Sequence, residues 1–98
     1  MNYTFTIHAS HPSLKGHFPD NPVVPGVVIL DEVINIIKTL KPDFVVSSIA
    51  MVKFIRPLLA EQTVTVEIHD KSETTIGFNC SHNDIKIVTG QLKLKSLQ

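Results

Sequence analysis

The chain has 98 residues, of which 43% are apolar, and nine basic residues balance nine acidic ones. This length predicts a single domain spanning residues 1–98, and the balanced charge gives no electrostatic footprint for nucleic acid or an anionic membrane. The single cysteine, Cys80, excludes an internal disulfide, and no apolar run approaches the roughly 20 residues of a membrane span. The N-terminus lacks a signal-peptide pattern, so we expect a soluble, cytoplasmic domain.

The first predicted elements are a strand and a helix. Residues 2–8 alternate apolar and polar side chains, which is typical of a half-buried strand. The helix is predicted to begin at Pro25 or Gly26 and to end near Leu40, because Pro42 forbids its continuation.

The predicted helix is apolar over more than half of its circumference. A chain this small cannot bury so much apolar surface by itself, so we expect an oligomer, most simply a two-fold homodimer. On the helical arc, Asp31 falls at the seam between the apolar and polar faces, and Glu32 falls on the polar face. We therefore expect Asp31 to be half-buried and Glu32 to be solvated.

The rest of the chain has the alternation and the turn residues of β-structure. Strands are predicted at 45–55, 63–68, 73–81 and 85–94, with a turn at 82–84 and a bulge near Gly90. One strand, one helix and four strands at hairpin spacing predict an α+β fold, in which an antiparallel sheet wraps around one long central helix.

A loop at residues 16–26 holds three of the six prolines and two of the four glycines, which restricts its backbone strongly. It carries His17, and histidine exchanges protons near neutral pH. The amide groups at the start of the helix can stabilise an oxyanion. With Asp31, these parts suit proton abstraction next to a carbonyl. From the residues alone, a purely structural loop fits equally well.

The same residues resemble a known family. Gly-His-Phe-Pro at 16–19, Asn-Pro at 21–22, Pro-Gly at 25–26 and an acid, Asp31, fourteen residues after the histidine are similar to the 3-hydroxyacyl-carrier-protein dehydratases of the hotdog fold. Residues 52–58 resemble the strand that this family places after its helix. The resemblance covers most of the chain.

The resemblance implies dehydration of 3-hydroxyacyl thioesters on acyl carrier protein to trans-2-enoyl thioesters, in fatty-acid or polyene-type biosynthesis. It implies that His17 removes the C2 proton, that Asp31 helps the hydroxyl leave as water, and that the Gly26 N–H polarises the thioester carbonyl. His17 and Asp31 of one site would come from opposite subunits, and no cofactor is implied. The residues expected to contact the acyl chain are Phe18, Val23, Val24, Val28 and Ile55.

Three features depart from the family pattern. The acid is aspartate, as in the dehydratase that also isomerises the double bond, whereas the dehydratase-only branch carries glutamate. Asp20 stands where a glycine is common, and the chain is shorter than the fatty-acid enzymes. The chain is most similar to small stand-alone dehydratases of polyene-type or other specialised acyl pathways.

Two other functions stay open. A hotdog thioesterase would hydrolyse the thioester with a carboxylate-activated water, and the His-Phe-Pro loop argues against it. A non-catalytic acyl-binding subunit would keep only the fold, and the presence of both His17 and Asp31 argues against that. The simpler alternatives for these two residues are a loop histidine that caps backbone groups and a solvated helix residue.

Other polar residues fit ordinary structural roles. Lys15, Lys53 and Arg56 could attract an acidic carrier protein, but solvated charges explain them equally well. The remaining histidines lack a metal-ligand spacing, so we expect no metal site. Cys80 alternates with apolar residues and is expected in the core.

Overall fold

The computed structural model describes residues 2–14 and 23–97. Its elements are β1 (Asn2–Thr6), a short 3-10 helix (Pro12–Leu14), α1 (Gly26–Leu40), β2 (Phe44–Phe54), β3 (Thr63–Asp70), β4 (Thr75–His82) and β5 (Ile85–Ser96). Within the described residues, the strands form one antiparallel sheet in the order β1-β3-β4-β5-β2. The predicted elements are confirmed, with each strand boundary within two residues of its predicted position. Strands β1 and β2 therefore form the two edges of the sheet.

The centre of the sheet follows the alternation of the sequence. On β3, Val64 and Val66 are completely buried, whereas Thr65 and Glu67 are exposed on the other face. Strands β4 and β5 add further side chains with no exposed surface, namely Ile76, Phe78, Cys80, Val88 and Leu92. The inward face of β3, β4 and β5 is thus the main part of the hydrophobic core, and the predicted core position of Cys80 is confirmed.

Helix α1 packs one stripe of side chains into this core. The stripe contains Val28, Ile29, Val33 and Ile37, which are all at most 5% exposed. The helix has 15 residues and is therefore about 22 Å long. The prediction of one antiparallel sheet with one helix is confirmed, but a helix of this length is close to the average, and its description as long is not confirmed.

The structure corrects the placement of the two acids on α1. Asp31 is exposed and Glu32 is half-buried, the reverse of the expectation from the helical arc. The sheet buries the part of the apolar arc centred on Ile29 and Val33. Asp31 lies two residues from each of them, which places it about 160° around the helix axis from both. The apolar arc of the helix is wider than the surface that the sheet covers. The centre of the arc therefore does not show which part of the helix is buried.

The structure also corrects the predicted bulge near Gly90. Gly90 itself pairs with Phe78 on β4 and Val52 on β2. The extra residue in β5 lies at residues 86–88, and another irregularity lies on β2 between Ile49 and Met51, opposite Leu92 and Gln91. A Cβ atom at Gly90 would lie 2.7 Å from both the Met51 carbonyl oxygen and Phe78 Cζ. Close packing of a neighbouring strand and a core ring, rather than a bulge, is what requires glycine here.

The β4–β5 hairpin turns at Asn83 and Asp84, both of which have positive φ angles, 49° and 65°. Two consecutive left-handed residues are typical of a tight hairpin turn, and asparagine and aspartate tolerate this conformation. His82, predicted in the turn, instead ends β4, and its Nδ1–H donates to the Thr63 carbonyl at 2.8 Å.

Among the described residues, no helix is long and apolar enough to cross a membrane.

Candidate active site

A pocket of about 350 Å³ lies where α1 begins and β2 ends. Most of its wall is apolar, and Arg56 is the charged residue among those that line it. The lining residues are Val24, Gly26, Ile29, Phe54, Ile55, Arg56, Pro57 and Leu58. An apolar pocket with few polar groups is the usual form of a site for a small molecule or an acyl chain.

The start of α1 provides the polar wall of this pocket. Pro25 is the N-cap residue, and its carbonyl accepts the Val28 N–H at 3.0 Å. Among the described residues, no side chain caps this end of the helix. The first amide groups of a helix have no acceptor within the helix, and the helix dipole makes this end positive. The N–H of Gly26, the first helical residue, therefore suits a carbonyl oxygen in which negative charge develops.

Phe54, the last residue of β2, lies directly against the start of α1. A Cβ atom at Gly26 would lie 2.6 Å from Phe54 Cζ, so only glycine allows the ring to approach this closely. The ring is 51% exposed, and its position forms one wall of the pocket. Phe54 is not among the predicted site residues, because nothing local in the sequence indicates contact between residues 28 positions apart.

The structure brings three of the predicted site residues together. Val24, Gly26 and Ile55 all line the pocket, and Val24 is anchored because its N–H donates to the Leu58 carbonyl at 2.8 Å. Val23 is adjacent, in an isolated antiparallel bridge with Leu59, and it is not among the lining residues.

The other predicted site residues are not brought to the pocket. Val28 is 5% exposed, lies in the hydrophobic core and is not a lining residue. His17 and Phe18 lie outside the described residues. Asp31 follows Gly26 by five residues, which places it about 140° around the helix axis. Within one chain, Asp31 therefore faces away from the pocket that Gly26 lines.

Glu61 stands out in the turn that follows the pocket-lining residues. Its φ angle is 70°, which is uncommon for a residue with a side chain. Its carboxylate accepts the Ala9 N–H at 2.6 Å and a hydrogen bond from His8 Nδ1 at 3.0 Å. The Ala9 N–H, followed by the His8 side chain, lowers the pKa of Glu61 below its ordinary value, because both stabilise the charged form.

The remaining histidines have local structural contacts. His11 Nδ1 accepts the Ser13 N–H at 3.1 Å. His69 lies against the backbone of Gly77, where a Cβ atom would be 2.5 Å from its Nε2. In residues 2–14 and 23–97, no three histidine, cysteine or acidic side chains are grouped so that they could hold a metal ion.

Comparison with known proteins identifies the family. The family model of the ApeI-like dehydratases (ApeI dehydratase) matches residues 1–91. The chain belongs to the ApeI-like dehydratase family. It is 33% identical over 87 residues to the 3-hydroxyacyl-(acyl-carrier-protein) dehydratase FabZ of Ehrlichia chaffeensis, covering 81% of this chain and 58% of that protein. The chain thus spans less than two thirds of the length of this curated relative.

Solved structures agree with the family. A chain of the dehydratase heterocomplex ApeI:P from Xenorhabdus doucetiae matches with a TM-score of 0.83 and 30% identity, covering 95% of this chain and 84% of that chain. An uncharacterized protein from Erwinia carotovora subsp. atroseptica matches with a TM-score of 0.80 and 24% identity, covering 98% of this chain and 82% of that chain, a likeness that concerns the fold alone. The predicted resemblance to the dehydratases of the hotdog fold is confirmed.

Proposed function

We propose that this ApeI-like chain dehydrates 3-hydroxyacyl thioesters held by acyl carrier protein, giving trans-2-enoyl thioesters and water. The match of residues 1–91 to the ApeI-like dehydratases is the observation that carries the proposal. The apolar pocket beside the Gly26 amide supports it, because an acyl thioester needs an apolar wall and a hydrogen-bond donor for its carbonyl.

The reaction removes a proton from C2 and a hydroxyl from C3. The Gly26 N–H donates to the thioester carbonyl oxygen, and this polarisation makes the C2 proton more acidic. His17 takes that proton, and the electron pair of the broken C2–H bond forms the C2=C3 double bond. The C3–O bond breaks as Asp31 supplies the proton with which the hydroxyl leaves as water. Transfer of the proton from His17 to Asp31 through solvent restores the starting state.

A complete site requires a second chain. Asp31 lies on the exposed side of α1, together with Val27, whose side chain is 64% exposed. Edge strand β2 adds exposed apolar side chains on both faces of the sheet, namely Val45, Ile49 and Met51. An unpaired edge strand with apolar side chains is a surface that another chain can cover. We propose a homodimer in which Asp31 of one subunit completes the pocket of the other.

A second candidate assembly is a complex with a different chain. The solved relative is a heterocomplex, ApeI:P, which favours testing this arrangement for the present chain too. Size-exclusion chromatography with light scattering on the purified chain distinguishes the two. A dimer with turnover supports the homodimer, whereas a chain that stays monomeric and inactive until a different partner chain is added supports the heterocomplex.

The central test is a dehydration assay that follows enoyl absorbance on a short carrier-bound 3-hydroxyacyl substrate. We expect His17→Ala and Asp31→Asn each to lower kcat by roughly 10²- to 10⁴-fold, the usual contribution of a general acid or base. Glu32→Gln changes the neighbouring carboxylate and is the matched control, with activity close to wild type. Release of free thiol and acid instead of an enoyl product would identify a thioesterase, and binding without turnover would identify an acyl-binding subunit.

Mixing the two inactive variants tests whether the site is shared. In a mixed homodimer with shared sites, one site holds both substitutions and the other holds neither. After subunit exchange, we expect activity to recover to about a quarter of wild type, because half of the dimers are mixed and each has one intact site. Exchange without recovery would show that His17 and Asp31 of one site belong to the same chain.

Recognition of an acidic carrier protein can be tested by changing basic residues near the pocket. We propose that Lys15, Lys53 and Arg56 attract an acidic carrier protein, supported by the exposed positions of Lys53 and Arg56 and by the place of Arg56 at the pocket. Reversing the three charges should raise KM for the carrier-bound substrate much more than KM for an uncharged thioester of the same acyl group. An unchanged KM for both substrates would contradict this docking surface.

A further inference from the structure

The turn between β2 and β3 holds both described flanks of the loop that carries His17. On the C-terminal flank, the Val24 N–H donates to the Leu58 carbonyl at 2.8 Å. On the N-terminal flank, the Ile7 carbonyl accepts the Glu61 N–H, also at 2.8 Å. Ile7 and Val24, which lie on either side of this loop in the sequence, are therefore both hydrogen-bonded to one short segment, residues 58–61.

The Glu61 side chain strengthens the contact with the N-terminal flank. One carboxylate oxygen accepts the Ala9 N–H at 2.6 Å, and the other accepts a hydrogen bond from His8 Nδ1 at 3.0 Å. Hydrogen bonds to an ionised carboxylate are shorter and stronger than neutral ones. Together with the backbone bond to Ile7, three bonds from a single residue hold three consecutive residues. We call residues Ile7, His8, Ala9 and Glu61 the Glu61 clamp.

The backbone conformation of Glu61 indicates that this residue does more than form the turn. With a φ angle of 70°, Glu61 occupies the left-handed region, where glycine fits without steric cost. A residue needed only for the turn would be better as glycine. Glutamate at a strained position places its carboxylate next to the Ala9 N–H, and strained residues of this kind cluster where geometry serves function.

The residues that follow the clamp are joined by backbone hydrogen bonds as far as Leu14, where the described residues end on this side. The His11 N–H donates to the His8 carbonyl and the Leu14 N–H to the His11 carbonyl, both at 2.9 Å. Leu14 is 3% exposed and belongs to the hydrophobic core. A chain of backbone hydrogen bonds thus connects His8 with Leu14, three residues before His17 in the sequence.

We propose that Glu61 is a positioning residue for the dehydration, which sets the N-terminal flank of the loop so that His17 reaches the C2 proton. The inference rests on the proposed function, since His17 is the base only in that reaction. Glu61 itself does not line the pocket. Its effect is on the geometry of the catalytic step, where small displacements of a reacting group lower the rate strongly.

If Glu61 only stabilised the fold, its loss would lower the melting temperature and the turnover number together, but its contacts argue against that. His8 and Glu61 are mostly exposed, with side chains 70% and 58% accessible, and exposed ion pairs contribute little to global stability. Glycine at position 61 also removes the backbone strain. Loss of the clamp should therefore leave the melting temperature unchanged or slightly raised, while the turnover number falls.

The experiment compares Glu61→Gly and Glu61→Gln with Glu67→Gln, a matched change of an exposed glutamate on β3. We expect Glu61→Gly to lower kcat roughly tenfold or more, with KM within about twofold of wild type. Glu61→Gln keeps an oxygen that can accept the Ala9 N–H and should recover most of the loss. Glu67→Gln should match wild type. The proposal is overturned if Glu61→Gly keeps full kcat, or if kcat and the melting temperature fall together.

Amide hydrogen exchange provides a readout that does not depend on turnover. The Ala9 N–H should exchange faster in Glu61→Gly than in wild type, and exchange in β4 should not change. Unchanged Ala9 exchange would refute the clamp even if the enzyme is active. A wild type with no turnover on any substrate would refute the proposed function and the catalytic role of Glu61, while faster Ala9 exchange would still show that the clamp holds this flank.

Discussion

The centre of the sheet and the turn at residues 58–62 are held in opposite ways. In β3, β4 and β5, completely buried side chains such as Val66, Phe78 and Leu92 make the contacts, and the ladders run through regular register over most of their length. In the turn, Leu58 is buried, but the residue that makes the most connections, Glu61, is exposed and has a strained backbone. Burial stabilises the first region, and directional hydrogen bonds shape the second.

The difference separates folding from function in this molecule. Apolar burial is non-directional, and it stabilises the sheet without specifying a site. Hydrogen bonds at the turn contribute little to global stability but determine where the loop flanks and the pocket wall lie. Substitutions in the two regions should therefore affect different measurements.

The largest effect is expected in the sheet. Phe78→Ala removes a ring with no exposed surface, and we expect it to lower the free energy of unfolding by about 3–5 kcal/mol. Phe54→Ala, which removes a half-exposed ring at the pocket, is the matched control and should cost about 1 kcal/mol. Urea unfolding measures both. Equal losses would show that the pocket wall is as important for stability as the core.

Two glycines provide the next comparison. A Cβ atom at Gly90 would meet the Met51 carbonyl oxygen and the buried Phe78 ring, neither of which can move easily, so Gly90→Ala should cost about 1–3 kcal/mol. A Cβ atom at Gly26 would meet only the half-exposed Phe54 ring, which can turn outward. Gly26→Ala should therefore change stability little and reshape the pocket, seen as a raised KM. A Gly26→Ala variant as unstable as Gly90→Ala would contradict this.

A smaller effect on the free energy of unfolding is expected when the pH is lowered. Because the folded state lowers the pKa of Glu61, the unfolded chain binds more protons in this range, and stability rises with pH. The contribution is complete above the ordinary value near 4.5 and is lost as the pH falls through the lower folded pKa. Comparison of wild type with Glu61→Gln by urea unfolding should show a difference that shrinks below this value. A difference independent of pH would exclude the charged carboxylate as its source.

The smallest effect concerns Cys80. Burial raises the pKa of its thiol to about 12, and the side chain has no exposed surface. We expect no measurable reaction with a thiol reagent at pH 8 in the native protein and rapid reaction after unfolding. A native thiol that reacts at the unfolded rate would show that β4 opens locally.

The sequence predicts the strands well because their alternation is a local signal. Val64 and Val66 are buried, as their spacing with Thr65 indicates. The helix boundaries follow equally directly from the Pro-Gly start and the proline at 42.

The parts that sequence could not predict depend on contacts between distant residues. Which side of the broad apolar helix meets the sheet decides that Asp31 is exposed, and no local pattern contains that information. The contacts of Gly26 with Phe54 and of His8 with Glu61 join positions 28 and 53 residues apart. The pocket wall and the clamp therefore emerge only from the three-dimensional structure.

The strand order has a consequence for synthesis of the chain. Within the sheet, β2 pairs with β5 alone, and the two are separated by the whole of β3 and β4. While the chain is being made, β2 has no partner strand until residues 85–96 have been synthesised. Long-range pairing of this kind slows folding and leaves an apolar edge open meanwhile. We expect β2 to be the segment that chaperones bind during translation.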